Sequence, residues 1–378
     1  MTHLTIRNYR CIESLDVALG RFHVLVGPNG SGKSTLLDAL AFVRSCLVKG
    51  LVAAAEERAP EFRDLTFMRR GGDIDVQIAF DLLATARESL RYGLQIGADA
   101  TEGCQVRAEF LQDAHRMHLR TQIQGLQVFF DEDGRSEMAF SFGRDRLALS
   151  VVPPDLTRFP TSNLVRQLLA DGVRYVHLDV RAMRQPCSAL RPADDLESDG
   201  SNLARVVGRL KEKSPEAVAD WIGHLQYALD DLEGIGWGKR PPDNAEYITL
   251  RYKNGLECPS WLLSDGTLRV LALTLLAFMR PKTQPYRQPI YMIEEPENGV
   301  HPRALETILT SLANVPEGQV FVATHSPLVV QQVGVEPLLC FSRDESGTHV
   351  VAGKDHPVMK EWEGEPYLST VFANGLLE

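Results

Sequence analysis

The segment Gly27-Pro28-Asn29-Gly30-Ser31-Gly32-Lys33-Ser34-Thr35 has the spacing Gly-x-x-x-x-Gly-Lys-Ser. Glycines at these positions let successive backbone N–H groups turn inward, and a ring of such donors binds phosphate oxygens. Lys33 is spaced to reach the β- and γ-phosphates of a nucleoside triphosphate, and the Ser34 hydroxyl to ligate Mg²⁺. That chemistry needs a strand before the loop and a helix after it, so that the positive end of the helix faces the anion. His23-Val24-Leu25-Val26 is an apolar run before the loop, and Leu36, Leu37, Leu40 and Val43 recur at helical spacing after it.

Three later segments carry further chemistry. In Leu263-Ser264-Asp265-Gly266-Thr267, Ser264 is placed to cap the apolar-periodic helix Leu268 to Met279. Ile290-Tyr291-Met292-Ile293-Glu294-Glu295-Pro296-Glu297 is an apolar strand ending in adjacent carboxylates. Neighbouring strand residues point to opposite faces, so Glu294 and Glu295 should do different work. One is suited to holding Mg²⁺, the other to polarising a water for attack on a γ-phosphate. In Val320-Phe321-Val322-Ala323-Thr324-His325-Ser326-Pro327, a buried strand delivers His325 to its C-terminal edge, where ligands of open α/β sheets gather. Ser326 is expected to cap a helix that starts at Pro327.

The elements that must position these residues follow from periodicity. Alternation from Leu4 to Val26 predicts three short strands, the last buried on both faces. A helix is expected from Lys33 to Leu47, then a short helix and an Arg- and Gly-rich loop from Ala53 to Gly72. Short alternating runs from Ile74 to Val152, including Leu147 to Val151, predict an antiparallel β region. Helical signals dominate from Asn163 to Leu232, with one strand near Tyr175 to Leu178 and a helix start at Pro215. Strand character returns from Trp237 to Tyr252, and helices alternate with apolar strands from Leu263 onward. The expected division is 1–152, an N-terminal lobe with the phosphate loop; 153–236, a mainly helical lobe; and 237–378, a C-terminal lobe.

Composition narrows the class. The 378 residues are 44% hydrophobic and 24% charged, as in a globular chain with a large core. The longest apolar run, Val270 to Met279, is about half of a membrane span. The cysteines are scattered singly, without Cys-x-x-Cys, and the N-terminus lacks an apolar leader, so a cytoplasmic location is expected. A net charge of −10 argues against constitutive coating of nucleic acid. The arginines near Arg63, Arg69 and Arg70, and those near Arg181, Arg184 and Arg191, read as solvated faces and ion pairs. The pairs Asp73/Asp75 and Asp131/Asp133 read as turn residues rather than metal ligands.

The ordered set of phosphate loop, Leu-Ser-Asp-Gly, Glu-Glu-Pro-Glu and Thr-His-Ser-Pro resembles the ABC-type ATPase heads of the RecF, SMC and OLD group. Leu4-Thr5-Ile6-Arg7-Asn8-Tyr9-Arg10 is similar to that group's first strand. Glu295 to Pro302 and Asp199-Gly200-Ser201-Asn202-Leu203 resemble stand-alone bacterial ATPases of the group. The resemblance implies an α/β P-loop NTPase with a mixed sheet core, an antiparallel β lobe, a helical insertion and no long coiled coil. It implies ATP and Mg²⁺ as ligands, Gly27 to Thr35 as Walker A, Glu294 at the Walker B position and Glu295 as the catalytic glutamate. Asn298 to His301 would be the D-loop and His325 the switch histidine. Ser264 and Gly266 would form the signature that contacts a γ-phosphate held by a second copy, in a head-to-tail homodimer enclosing two ATP molecules.

Two departures stand out. Glu294 replaces the commoner Asp, and no glutamine is clearly placed for a Q-loop, Gln77 being a weak candidate. The region before Leu263 offers no heptads for an SMC-type arm, and only 53 residues follow His325, so a nuclease or toxin effector would be a separate subunit. The expected function is an ATP-driven switch acting in a DNA transaction or antiphage defence, with DNA a possible partner and no membrane. The alternative is an ATP-stabilised scaffold with little turnover.

Overall fold

The alternating N-terminal residues fold as His3–Tyr9 and Ile12–Ala18, paired antiparallel with Leu4 opposite Val17 and Ile6 opposite Leu15, all four buried. The computed structural model describes residues 1–81, 89–99, 103–121, 127–130, 137–140, 143–279, 288–360, 368–373 and 375. From His3–Tyr9 an eight-stranded antiparallel sheet continues through Ile74–Asp81, Ser89–Asp99, Gly103–Gln112, Met117–Thr121, Gln127–Phe130 and Glu137–Phe140. The pair Asp131/Asp133 lies outside the described residues.

A second sheet has the order Val173–Val176, Ile290–Glu294, Gln319–Ala323, Phe22–Val26, Leu338–Asp344, Gly347–Ala352. Its first five strands run parallel and the last turns back antiparallel. The expected strand near Tyr175 to Leu178 is thus the edge of this sheet, two residues earlier than its pattern suggested. A small sheet of Leu232–Arg240, Ala245–Tyr252 and Glu257–Pro259 completes the set.

Strand alternation decides how the layers pack. On one face of the parallel sheet, Leu25, Met292, Phe321 and Leu339 join a core shared with the helix Lys33–Lys49 and the antiparallel sheet. On the other, Val24, Val26, Ile293, Val322 and Cys340 pack with the helices Leu203–Lys213, Pro215–Leu225, Asp265–Leu275 and Pro302–Ala313. Each fully buried aliphatic side chain contributes roughly 1.5–3 kcal/mol. The phosphate-loop helix is therefore held between two sheets. Its N-terminus cannot drift relative to the strand that feeds it.

One predicted strand is not a strand. Leu147 to Val151 forms a 3-10 turn over Ala148–Val151, because the buried Glu109 carboxylate accepts the backbone N–H groups of Ala148 and Leu149 at 2.6 and 3.0 Å. Those donors are turned away from any ladder. Pro215 does open a helix, Pro215–Leu225.

Candidate nucleotide-binding site

The parallel register brings the motifs to one edge. Glu294 lies opposite Ala323, and Ala323 opposite Leu25, across three adjacent strands. Such strands stand roughly 4.8 Å apart, so the residues that follow them emerge together. From Leu25 the chain enters the phosphate loop, from Ala323 it enters Thr324-His325, and from Glu294 it enters the acidic turn.

The loop's shape depends on its glycines. Gly27, Gly30 and Gly32 adopt φ of 142°, 75° and 113°. A Cβ on Gly27 would stand 2.2 Å from the Phe341 carbonyl oxygen, and one on Gly32 would stand 2.6 Å from Thr348 Oγ1. Only glycine fits at either point. Gly32 is the N-cap of the helix Lys33–Lys49. Lys33 is buried, and its Nζ donates to the carbonyls of Gly27 at 2.6 Å and Pro28 at 2.8 Å. Ser31 is buried with no hydrogen-bond partner for Oγ, whereas Asn29, Gly30 and Ser34 are exposed. The Thr35 hydroxyl pairs with Cys11 Sγ at 3.1 Å.

At the acidic turn, Glu294 ends its strand with Oε1 buried and without a hydrogen-bond partner. Tyr175 lies against this carboxylate, and burial first, then its hydrogen bond to Glu294 and that group's charge, push the Tyr175 phenol upward. Glu295 adopts φ 47°, a left-handed backbone that costs a non-glycine residue about 1–3 kcal/mol. Its N–H donates to the Ala323 carbonyl at 2.8 Å, and its carboxylate accepts from Asn298 Nδ2. The strand ends at Glu294, so Glu295 is placed by this kink and not by strand alternation. Both carboxylates line a cleft of about 270 Å³ together with Asn298, His177 and Arg269.

Two further residues of this edge carry no individual expectation from sequence. Buried Thr324 donates N–H to the Leu25 carbonyl at 3.1 Å and Oγ1 to Glu297 at 2.5 Å, joining all three strand ends. Burial raises the Glu297 carboxyl, opposed by bonds from the Thr324 hydroxyl and the His325 N–H, and its Oε2 is buried without a partner. The third carboxylate of Glu-Glu-Pro-Glu and the threonine before His325 were the available signals. His325 itself is exposed. Ser326 sits at the N-cap of Pro327–Val333 but its side chain makes no cap bond; Thr324 Oγ1 accepts the Ser326 N–H instead, at 2.9 Å.

The segment around Ser264 forms a capped helix start. Ser264 Oγ accepts the Thr267 N–H at 3.1 Å at the head of Asp265–Leu275, and Ser264 is exposed. Two contacts fix its direction. Arg184 donates to the Leu263 carbonyl at 2.9 Å and pairs with Asp265. Gly266 lies so close to the acidic turn that a Cβ would stand 2.6 Å from the Gly299 carbonyl oxygen. This helix start and the Glu295-to-Val300 turn form one packed unit.

Gln77 falls elsewhere. It pairs opposite Thr5 in the antiparallel sheet and lines a groove with His3, Asp16 and Arg91. Asp73 accepts from Gln95 at 3.1 Å, and Asp75, inside Ile74–Asp81, accepts from Gln77 at 3.3 Å. Among the described residues no group of three His, Cys, Asp or Glu side chains is placed to hold a metal, and no helix is long and apolar enough to cross a membrane. Arg69 pairs with Asp64 and Arg191 with Glu197, in keeping with the ion-pair reading of those clusters.

The sequence profile of a family described as "AAA domain, putative AbiEii toxin, Type IV TA system" matches residues 22–331. An OLD nuclease from Thermus scotoductus is 24% identical over 366 residues, covering 93% of this chain and 64% of the nuclease, so the chain spans just under two thirds of that relative. The DNA replication and repair protein RecF of Yersinia enterocolitica is 54% identical over 41 residues, 11% of either protein. Among solved structures, an Smc head bound to the C-winged helix domain of ScpA superposes with a TM-score of 0.58 at 16% identity, covering 93% of this chain and 96% of that one. An Smc head with an extended coiled coil, bound to the C-terminal domain of ScpA derived from Pyrococcus furiosus, gives 0.55 at 14% identity over 93% and 95%. At these identities the likeness establishes the fold.

Proposed function

This chain belongs to the AAA-domain family whose profile it matches, as an ABC-type ATPase of the RecF, SMC and OLD group, and we propose that it is a Mg-dependent ATP hydrolase whose ATP-bound copies pair head to tail. The pairing gates a DNA transaction or an antiphage effector such as a nuclease or toxin. DNA is a possible further partner.

The residues present fit a magnesium nucleotide. Ser31 Oγ and Glu294 Oε1 are buried polar atoms without partners, and native proteins seldom leave such atoms unpaired without a functional reason. In this reading the loop from Gly27 through Gly32 binds the phosphates through backbone N–H groups. Lys33 exchanges the loop carbonyls for phosphate oxygens, and Thr35 supports the loop through Cys11. Ser34 and Glu294 hold Mg²⁺, which supplies charge neutralisation at the phosphates. Glu295, fixed by Asn298 and by its bond to Ala323, orients the attacking water, and His325 reads the γ-phosphate from the neighbouring strand end.

The observation that carries the pairing is the Ser264 helix start. It is exposed, capped and aimed by Arg184, and it is packed directly on the turn that follows Glu295. A helix N-terminus held this way attracts an anion. Ser264 and Gly266 on one copy then complete the γ-phosphate pocket of the other, and the same contact reaches that copy's own acidic turn.

The test is Glu295→Gln with saturating Mg-ATP, followed by light scattering. The variant should accumulate as a dimer that wild type forms only transiently, with hydrolysis lost. A variant that stays monomeric under those conditions would refute the head-to-tail reading.

A further inference from the structure

The hairpin of Leu338–Asp344 and Gly347–Ala352 forms a wall against the phosphate loop. Leu338–Asp344 runs beside the strand that feeds the loop, with Cys340 opposite Val26. Two of the loop's glycines are required by this wall: Gly27 abuts the Phe341 carbonyl and Gly32 abuts the Thr348 side chain. Thr348 is itself anchored, donating to the Cys11 carbonyl at 3.2 Å. The hairpin lies beyond the 22–331 span that the family profile matches.

Arg343 is two residues beyond Phe341 and so on the same pleat face, the one turned toward the loop. Its Nη1 donates to the Gly30 carbonyl at 3.3 Å. Gly30 is exposed, at φ 75°, and forms the outer bend of the loop. A guanidinium carries five N–H donors in a planar fork, and here one of them holds the loop. The adjacent acid is bonded within the hairpin turn. Asp344 accepts from the Ser346 N–H at 2.8 Å, the Ser346 hydroxyl at 2.6 Å and His349 at 3.0 Å, bonds that hold its carboxyl down to about 2. These bonds hold Asp344 Oδ1 within the hairpin turn, while the exposed Arg343 guanidinium reaches over the loop to Gly30.

From this geometry we infer that Arg343 is a second cationic ligand of the nucleotide's phosphate chain, acting with Lys33. The inference rests on the ATP reading above. Lys33 is the buried cation under the loop, while Arg343 is the exposed one over its outer bend, tethered there through Gly30. Its remaining donors match phosphate oxygens, which a planar fork binds in pairs.

Calorimetric titration of the full chain with Mg-ATP, Mg-ADP and AMP tests this, using wild type, Arg343→Ala, Arg343→Lys and Lys33→Ala. An exposed charge-assisted contact predicts that Arg343→Ala weakens ATP binding about tenfold, ADP less, and AMP within about twofold. Arg343→Lys, which keeps the charge but not the paired donors, should recover only part of the loss, and the unliganded melting temperature should not change. If Lys33→Ala loses ATP while Arg343→Ala binds all three nucleotides like wild type, the inference falls and the ATP site stands. Equal weakening toward all three, with a lower unliganded melting temperature, would make Arg343 a brace of the loop and also overturns it. Wild type that binds no ATP overturns both readings.

Discussion

Gly266 and Gly223 are both helical glycines, and Gly→Ala should act on them in opposite directions. On propensity alone each change stabilises a helix by about 0.5–1 kcal/mol. Gly223, in Pro215–Leu225, has nothing within 4 Å of an added Cβ, so Gly223→Ala should show that gain. At Gly266 the Cβ would stand 2.6 Å from the Gly299 carbonyl oxygen, below the 3.0 Å that real Cβ contacts respect. That oxygen is backbone and cannot rotate aside. Overpacking of this kind costs about 1–3 kcal/mol, so it exceeds the propensity gain and leaves a net loss of roughly 1 kcal/mol. In a chain of 378 residues this lowers the melting temperature by about 1 °C, so the sign relative to Gly223→Ala is the readable quantity in differential scanning fluorimetry. The displaced turn also carries Asn298, which holds the Glu295 carboxylate. A shift of even part of an ångström there should lower ATP turnover by at least about tenfold. A Gly266→Ala protein that melts at or above wild type and keeps wild-type turnover would refute the claim that helix start and acidic turn form one packed unit.

Two other outcomes follow from single contacts. Ser264→Ala removes the acceptor of the Thr267 N–H and should cost about 1 kcal/mol at this cap, while weakening ATP-dependent pairing measured by sedimentation; an unchanged dimer would remove Ser264 from the interface. Glu109 tests linkage. Burial pushes its carboxyl up to about 7 from 4.5, against bonds from Ala148, Leu149 and Tyr92 that favour the ion. Over that interval the folded chain keeps a proton that the unfolded chain has lost. Its contribution is therefore complete below about pH 4.5 and lost as pH rises through about 7, a difference of about 3 kcal/mol at about 1.4 kcal/mol per unit. Glu109→Gln should flatten this slope, so wild type should lose stability relative to the variant between about pH 5 and pH 8.

The parts of this molecule legible in its sequence are those where one local rule settles the outcome. Gly27 to Lys33 reads as a phosphate loop because each glycine answers a backbone demand, and Ser264 reads as a cap because its bond to Thr267 is three residues away. Ser326 satisfied the same rule and did not cap, because Thr324, pinned by Glu297, had already taken its N–H. Leu147 to Val151 has strand alternation, yet Glu109, 39 residues before Ala148, captured its first donors and made a turn. Arg184 read as part of a cluster of solvated faces and ion pairs, and it does pair with Asp265, but that acid and the Leu263 carbonyl lie 81 and 79 residues away. In each case the missed signal is a long-range partner whose identity alternation and spacing do not encode.

The sheet edge carries several irregularities of its own. Ser31 Oγ, Glu294 Oε1 and Glu297 Oε2 are buried without partners, and Glu295 holds a left-handed backbone. These features occupy the segments that three parallel strands deliver to one edge. Misfit at separate sites could be relieved one residue at a time. Here Thr324 bonds both the Leu25 carbonyl and Glu297, while Ala323 accepts from Glu295, so relaxing one segment moves the other two. Such an edge resists collapse onto its own polar atoms, and it keeps acceptors and donors available to a charged ligand. The packing of Gly266 on Gly299 extends that rigidity to the Ser264 helix start. Under the proposed head-to-tail pairing, an anion engaged at Ser264 on one side would be linked mechanically to the Glu295 carboxylate on the other.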